Sequence, residues 1–162
     1  MERIWIKNYP NYVQPSLGTD NYQNITQLWK ESIQRFVKNP AFIFMGRTLS
    51  FGEWDMLSDK ICAYFQQSGL HPGDKIALMM PNILAYPICL AGAMKAGLVV
   101  VNTNPLYTPR EMEHQFKDAE VKMVVIAENF ASNLQNIISE TRIQKVLIVK
   151  ISDLLPPIKK CF

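Results

Sequence analysis

The hydrophobic positions of this chain change period partway along it. Over residues 25–37 the apolar side chains Ile25, Leu28, Trp29, Ile33 and Phe36 recur at three- and four-residue spacing, which predicts a helix with one apolar stripe. Asn24, followed by Gln27, is a natural cap for it. Residues 41–44 and 48–49 flank Met45-Gly46-Arg47 and predict a hairpin. Ser50 and Glu53 form a capping box that opens a helix over 51–67, with Trp54, Leu57, Ile61, Tyr64 and Phe65 on one face. Gly69 ends that helix, because a left-handed residue past a helix terminus carries no steric penalty when it is glycine.

Beyond the turn Pro72-Gly73-Asp74, short apolar runs alternate with helical stretches. Strands are expected over 75–80, 98–102, 122–127 and 145–150, and helices over 83–96, 109–119 and 130–139. The pattern gives an α/β fold: a partial doubly wound, mainly parallel sheet with flanking helices. A small hairpin and an N-terminal arm (residues 1–23) precede it. The arm carries Trp5, Tyr9, Tyr12 and Tyr22, so it is expected to lie over a surface, since disordered tails are poor in aromatics.

Two segments stand out physically. The 83–96 helix is apolar nearly all round, so it is expected to need protein on both faces, more than a sheet domain of this size supplies. Pro87 should start or kink it. Residues 83–101 carry one charge, Lys95, but Pro87, Gly97 and the β-branched end make a buried helix and strand a better reading than a membrane span. The second segment is 101–115. Asn104-Pro105 forces a turn, Thr108 is an N-cap, Pro109 is the first helical residue and Glu111 completes a capping box.

Charge and cysteine content narrow the function classes. The 162 residues carry a net charge of +3 with Lys and Arg scattered, Lys159-Lys160 being the nearest approach to a cluster, which is no nucleic-acid footprint. Cys62, Cys89 and Cys161 are odd in number and far apart, so neither a zinc site nor a redox pair is indicated; reduced, buried thiols in the cytoplasm are expected. Met1 to Trp5 open no secretory signal, so Asn24-Ile25-Thr26 is assigned to capping rather than glycosylation.

Candidate chemistry is sparse. No glycine-rich phosphate loop and no nucleophile elbow occurs. His71 sits in a turn and His114 on the capped helix, neither with an evident orienting partner. No catalytic, cofactor-binding or metal residue is therefore assigned. Open parallel sheets bind ligands at the C-terminal ends of their strands, and there the chain places Asn82, Asn102, Asn104 and Tyr107. These are candidates for lining or supporting a substrate site; the alternative is that the asparagines cap loop backbone.

Trp5 to Pro10, Pro40-Ala41-Phe42, Leu49-Ser50-Phe51, Gly73 to Asn82, Ala96-Gly97 and Val101 to Gln115 together resemble the amino-terminal part of bacterial long-chain fatty acid–CoA ligases, in the adenylate-forming, AMP-binding superfamily. The segments agree in order and spacing. The resemblance implies that residues 24–162 are an incomplete N-terminal AMP-binding-type subdomain. It implies an intact enzyme using ATP, Mg²⁺ and CoA to activate a fatty acid through an acyl-adenylate. The family's phosphate loop, nucleotide contacts and catalytic lysine come later than Phe162, so the chain alone is expected to be inactive. Two alternatives stand beside this. One is an interaction module that assembles with a separately encoded remainder of the ligase, or with copies of itself. The other is a free-standing α/β protein binding a nucleotide or acyl chain. The resemblance implies a cytoplasmic location, with peripheral association at the inner face of the membrane allowed.

Overall fold

The computed structural model describes residues 3–16 and 22–156. Cys161 and the Lys159-Lys160 pair lie outside the described residues. Helix α1 (Ile25–Phe36) begins as expected, with the Asn24 side chain accepting a hydrogen bond from the Gln27 N–H. Strands β1 (Pro40–Phe44) and β2 (Arg47–Ser50) pair antiparallel. Phe44 faces Arg47 across the hairpin, so the loop is two residues, Met45 and Gly46, both at positive φ. That mirror-image turn matches the twist of the strands, and it draws Arg47 into β2 rather than leaving it in the loop.

Helix α2 (Phe51–Gln67) starts from the Ser50–Glu53 capping box, in which each residue's side chain bonds the other's backbone. The arginine at the hairpin tip reinforces it: Arg47 donates to Glu53 Oε1 at 2.7 Å. Four parallel strands follow in the spatial order β4 (Val99–Asn102), β3 (Lys75–Met79), β5 (Met123–Ala127), β6 (Lys145–Val149). Helix α3 (Ala85–Lys95) joins β3 to β4 and α4 (Pro109–Asp118) joins β4 to β5.

The two faces of the sheet are separate cores, as period-two alternation requires. Ile76, Leu78 and Val125 pack with α3 residues Cys89 and Ala93 and with Phe65 of α2. Ala77, Met79, Val124 and Ile126 pack with Met112 and Phe116 of α4. Every residue of β5 is buried, the signature of a central parallel strand covered on both faces.

The all-apolar helix α3 does find protein on both sides within this chain. The sheet lies under one face and α2 lies over the other, so the expected shortage of cover does not arise along most of its length. The contact is close: a Cβ built on Gly92 would sit 2.7 Å from Ile61 Cγ2 and 3.0 Å from the Ser58 carbonyl. Lys95, the one charge of the stretch, is neutralised from α2, reaching Asp55 at 2.6 Å, Asp59 at 2.7 Å and the buried Ser58 hydroxyl at 2.8 Å. Burial works to lower the Lys95 pKa, but these carboxylate bonds outweigh it and hold the ammonium above its usual value.

Three local expectations are corrected. Helix α3 begins at Ala85 rather than residue 83, and Pro87 sits in its first turn, where a missing N–H breaks no intrahelical bond. The segment over 130–139 is not one helix. It is a 3₁₀ turn (Glu128–Phe130), the five-residue α5 (Ala131–Gln135) and a second 3₁₀ turn (Ile138–Glu140), none of whose starts is capped by a side chain. Ser132, Asn133 and Asn136 are weak helix formers that favour caps and turns. The arm's described aromatics, finally, do not cover a surface: a 3₁₀ turn (Ile4–Asn8) forms, yet Trp5, Tyr9 and Tyr12 are exposed.

Candidate functional site

The C-terminal ends of β3 and β4 lie side by side, with Leu78 opposite Asn102. Beyond β3 the chain turns through Pro81 and Asn82 into α3, the Ile83 N–H bonding the Pro81 carbonyl at 2.8 Å. Beyond β4 it runs through Thr103, which is buried and whose N–H bonds the Leu78 carbonyl at 3.0 Å. The loop is thereby anchored back to the sheet before it leaves.

Asn102 is the hub of this corner. The Tyr86 hydroxyl, one residue into α3, donates to Asn102 Oδ1 at 2.9 Å. The Gln115 side-chain amide of α4 donates to the Asn102 carbonyl at 3.3 Å. One residue thus links the first turn of α3, the tip of β4 and the body of α4. Gln115 Oε1, on the same amide, is enclosed and accepts no hydrogen bond among the described residues.

Asn104 has a local task. Its Oδ1 accepts the Leu106 N–H at 3.0 Å and its carbonyl accepts the Tyr107 N–H at 3.1 Å, an Asx turn closing the loop. Tyr107 turns inward and packs against the α4 face of the sheet. Thr108 then caps α4. Its hydroxyl accepts from the Glu111 N–H at 3.4 Å, while Glu111 Oε2 accepts from the Thr108 N–H at 2.8 Å. The backbone bond from Thr108, with its hydroxyl second, holds the Glu111 carboxyl below the usual carboxylate range. The four candidates therefore divide: Asn102 and Asn82 occupy the adjoining strand ends, whereas Asn104 and Tyr107 shape the loop between them and α4.

Asn82 lies on the rim of a feature that sequence reasoning missed. An apolar groove of about 450 Å³ runs between the hairpin and the start of α3. Trp29, Phe42, Phe44 and Trp54 form one wall, and Ile83, Pro87 and Leu90 the other. The Trp54 indole N–H donates to the Pro87 carbonyl at 2.9 Å, which fixes the aromatic wall to the helix. Trp29 and Phe42 both meet Trp54 edge-on, with centroids 5.3 and 5.4 Å away. The only signal in the sequence was the aromatic density of α1, β1 and α2, which reads equally well as ordinary core.

Neither histidine joins this site; His71 and His114 are both exposed. Among the described residues no three His, Cys, Asp or Glu side chains come together as a metal set. The strand-end donors are uncharged amides and a phenol, which do not suit a hard divalent cation that takes carboxylate or phosphate oxygen. The corner does not fit Mg²⁺.

Comparison with known proteins gives a consistent picture. The sequence profile described as "AMP-binding enzyme" matches residues 29–160. The chain is 41% identical over 160 residues to a long-chain-fatty-acid–CoA ligase of Escherichia coli O6:H1, covering 98% of this chain and 28% of that protein. It is 40% identical over 156 residues to the protein of the same name in Haemophilus influenzae, covering 96% of this chain and again 28% of the relative. The fold superposes on a benzoate CoA ligase from Burkholderia xenovorans LB400 with a TM-score of 0.74 at 20% identity, over 82% of this chain and 28% of that one. The chain thus spans little more than a quarter of the length of the curated relatives it matches.

Proposed function

The chain belongs to the family of AMP-binding enzymes, and from that membership we propose that it is the sheet-and-helix scaffold of a long-chain acyl-CoA synthetase. The activity of the complete synthetase would run in two balanced steps. A fatty-acid carboxylate oxygen attacks the α-phosphorus of ATP, giving acyl-adenylate and pyrophosphate. The thiol of CoA then displaces AMP from the acyl carbon. Fatty acid, ATP and CoA are its substrates and Mg²⁺ its metal. The observation that carries this reading is the identity to ligases running through 98% of the chain.

Within such an enzyme these residues position rather than react. Charge developing on phosphate oxygens needs preorganised donors of positive potential. At the strand ends the side chains carry no charge: Asn102 Oδ1 accepts from the Tyr86 hydroxyl and Asn104 Oδ1 from its own loop, and neither asparagine brings positive potential. What the corner offers is a fixed loop conformation, held by buried Thr103 and the Thr108 cap. The chain by itself is accordingly proposed to be inactive, and the complete enzyme to work in the cytoplasm, associating peripherally with the membrane that supplies its fatty acid. Among the described residues no helix is long and apolar enough to cross a membrane.

The open groove favours a second reading, in which the chain is an interaction module that assembles with the remainder of a ligase. A graft tests the first. The chain is substituted for its counterpart in the Escherichia coli relative, and palmitoyl-CoA formation is measured with ATP, palmitate and CoA. Activity is expected; a folded graft without it contradicts the assignment.

A further inference from the structure

We propose that Gln115 is a positioning residue of the synthetase: its side-chain amide braces the tip of β4 against α4 and so sets where the strand-end loop, residues 103–107, stands when substrate binds. The inference rests on the synthetase reading and assigns a role within that same corner.

The brace follows from the hydrogen bonding of β4. Val99 and Thr103 turn their N–H groups to the β3 side, bonding the carbonyls of Asp74 at 2.9 Å and Leu78 at 3.0 Å. Alternate residues of a parallel strand point their backbone groups to opposite sides. Asn102 therefore faces away from β3, and β4 is an outer strand of the sheet among the described residues. Such an edge is normally paired, covered or blunted. The Gln115 amide covers it at one point, donating to the Asn102 carbonyl at 3.3 Å where a neighbouring strand would otherwise bond.

This bond closes a ring. From Asn102 the chain runs through the loop to Thr108, whose capping box with Glu111 fixes it to α4. Gln115, one helical turn past Glu111, then reaches back to Asn102. The loop inside the ring has little freedom of its own. Buried Thr103 anchors its start, and Asn104 Oδ1 closes an Asx turn on the Leu106 N–H. It is held as one body, and the joint at Asn102 decides where it stands. Leu106, at its apex, is 80% exposed, an apolar side chain held out at the strand ends where open parallel sheets take their ligands.

Glutamine is a poor choice here for stability alone. Its Oε1 is enclosed and accepts no hydrogen bond among the described residues, and an enclosed acceptor without a donor is destabilising. The amide cannot turn over to escape this, because Oε1 would then face the Asn102 carbonyl oxygen. Methionine matches glutamine in length and brings no such acceptor, and the Asn102 carbonyl, on an exposed residue, could bond water instead. What glutamine adds is its hold on Asn102.

Gln115→Met separates positioning from mere support, because the two roles predict different changes. In the 162-residue chain the variant is expected to melt at the same urea concentration as the parent or a higher one. Amide exchange at Thr103, Leu106 and Tyr107 should nevertheless quicken at least fivefold. Parental exchange at these three amides overturns the proposal, and so does a loss of global stability large enough to account for faster exchange.

The graft described above supplies the functional readout, with ATP, palmitate and CoA varied in turn. Gln115→Met should raise KM at least fivefold for one substrate, with the other two KM values and kcat changing less than twofold, the pattern of one displaced contact. Gln115→Glu keeps the shape but loses the donor and should show the same rise. Parental KM values in either variant, or a loss spread over kcat and all three substrates, overturn the proposal. The two readings fail separately. An inactive parent graft sinks the synthetase and leaves the exchange measurement to judge the brace. An active graft whose KM values ignore Gln115→Met sinks only the brace.

Discussion

The Tyr86 hydroxyl donates to Asn102 Oδ1 across 2.9 Å, joining the first turn of α3 to the tip of β4. The pair holds the corner at which the two strand ends meet. Tyr86→Phe removes the donor without changing the ring. Because the bond is near solvent, the expected cost is small, about 0.5–1 kcal/mol in a urea melt. The loop should respond more than the global melt: amide exchange of residues 103–107 should accelerate in the variant. Unchanged exchange there would show that Tyr86 does not restrain the loop.

Gly92 is where α2 and α3 come closest. Alanine is the better helix former by about 1 kcal/mol, so on propensity alone Gly92→Ala should stabilise. The added methyl would meet Ile61 Cγ2 at 2.7 Å and the Ser58 carbonyl at 3.0 Å, and the carbonyl is backbone. Overpacking of this kind costs about 1–3 kcal/mol. A net loss of stability is expected, and since Ile61→Ala is itself destabilising through lost packing, relief of the clash should appear as a double variant that costs less than the sum of the two single changes. A more stable single variant would mean that the helices separate freely.

The caps can be read by both mutation and pH. Thr108→Ala should cost about 1 kcal/mol of stability. Glu111 has a folded-state pKa below its ordinary value of 4.5. Its unfolded state therefore binds protons more readily, so its contribution is complete above pH 4.5 and is lost as pH falls through the lower folded value. Glu111→Gln should flatten the acid limb of a stability profile in that window. An unaltered acid limb would remove the carboxylate from the cap.

Lys95 gives the opposite sign. Its folded pKa lies above 10.5, so its ion pairs stabilise fully below that value and fade as pH rises through the folded one. Lys95→Met breaks bonds to Asp55, Asp59 and Ser58 together. The carboxylates are partly exposed, which reduces what each pair contributes, and the expected loss is about 1–2 kcal/mol at neutral pH. A neutral substitution would reduce the cluster to a surface ornament.

Cys89 is buried against the sheet and burial raises its thiol pKa to about 12. It should resist thiol reagents at mildly alkaline pH in the native protein and react on unfolding. Reaction in the native state would show that α3 opens readily.

The elements whose sequence carried a chemical stop or start were legible. Asn24, Ser50 and Thr108 were each identified as caps from their neighbours three residues on, and each side chain makes the cap bond. That the four strands run parallel followed from alternation of short apolar runs with helices, whereas their spatial order, β4-β3-β5-β6, did not. Segments lacking such local signals were not legible. The pieces over 128–140 have no cap and weak propensity, so tertiary packing of Leu134 and Ile137 fixes them. The cover that α2 gives α3 depends on Gly92, whose role is visible only when Ile61 is beside it. The site divided in the same way. Asn82 and Asn102 could be placed at strand ends from the βαβ pattern. Tyr86 and Gln115 could not, because each acts through a partner 16 or 13 residues away across a fold boundary. The groove was invisible for a related reason: its aromatic walls have the spacing of any buried stripe.

Purified 162-residue chain incubated with ATP, Mg²⁺, palmitate and CoA, with pyrophosphate and palmitoyl-CoA both quantified, addresses the scaffold assignment most directly. Neither product is expected above a protein-free control, while the graft into the Escherichia coli ligase forms both. Fatty-acid-dependent pyrophosphate release by the isolated chain would contradict the account, because its own strand-end residues would then be carrying out the chemistry.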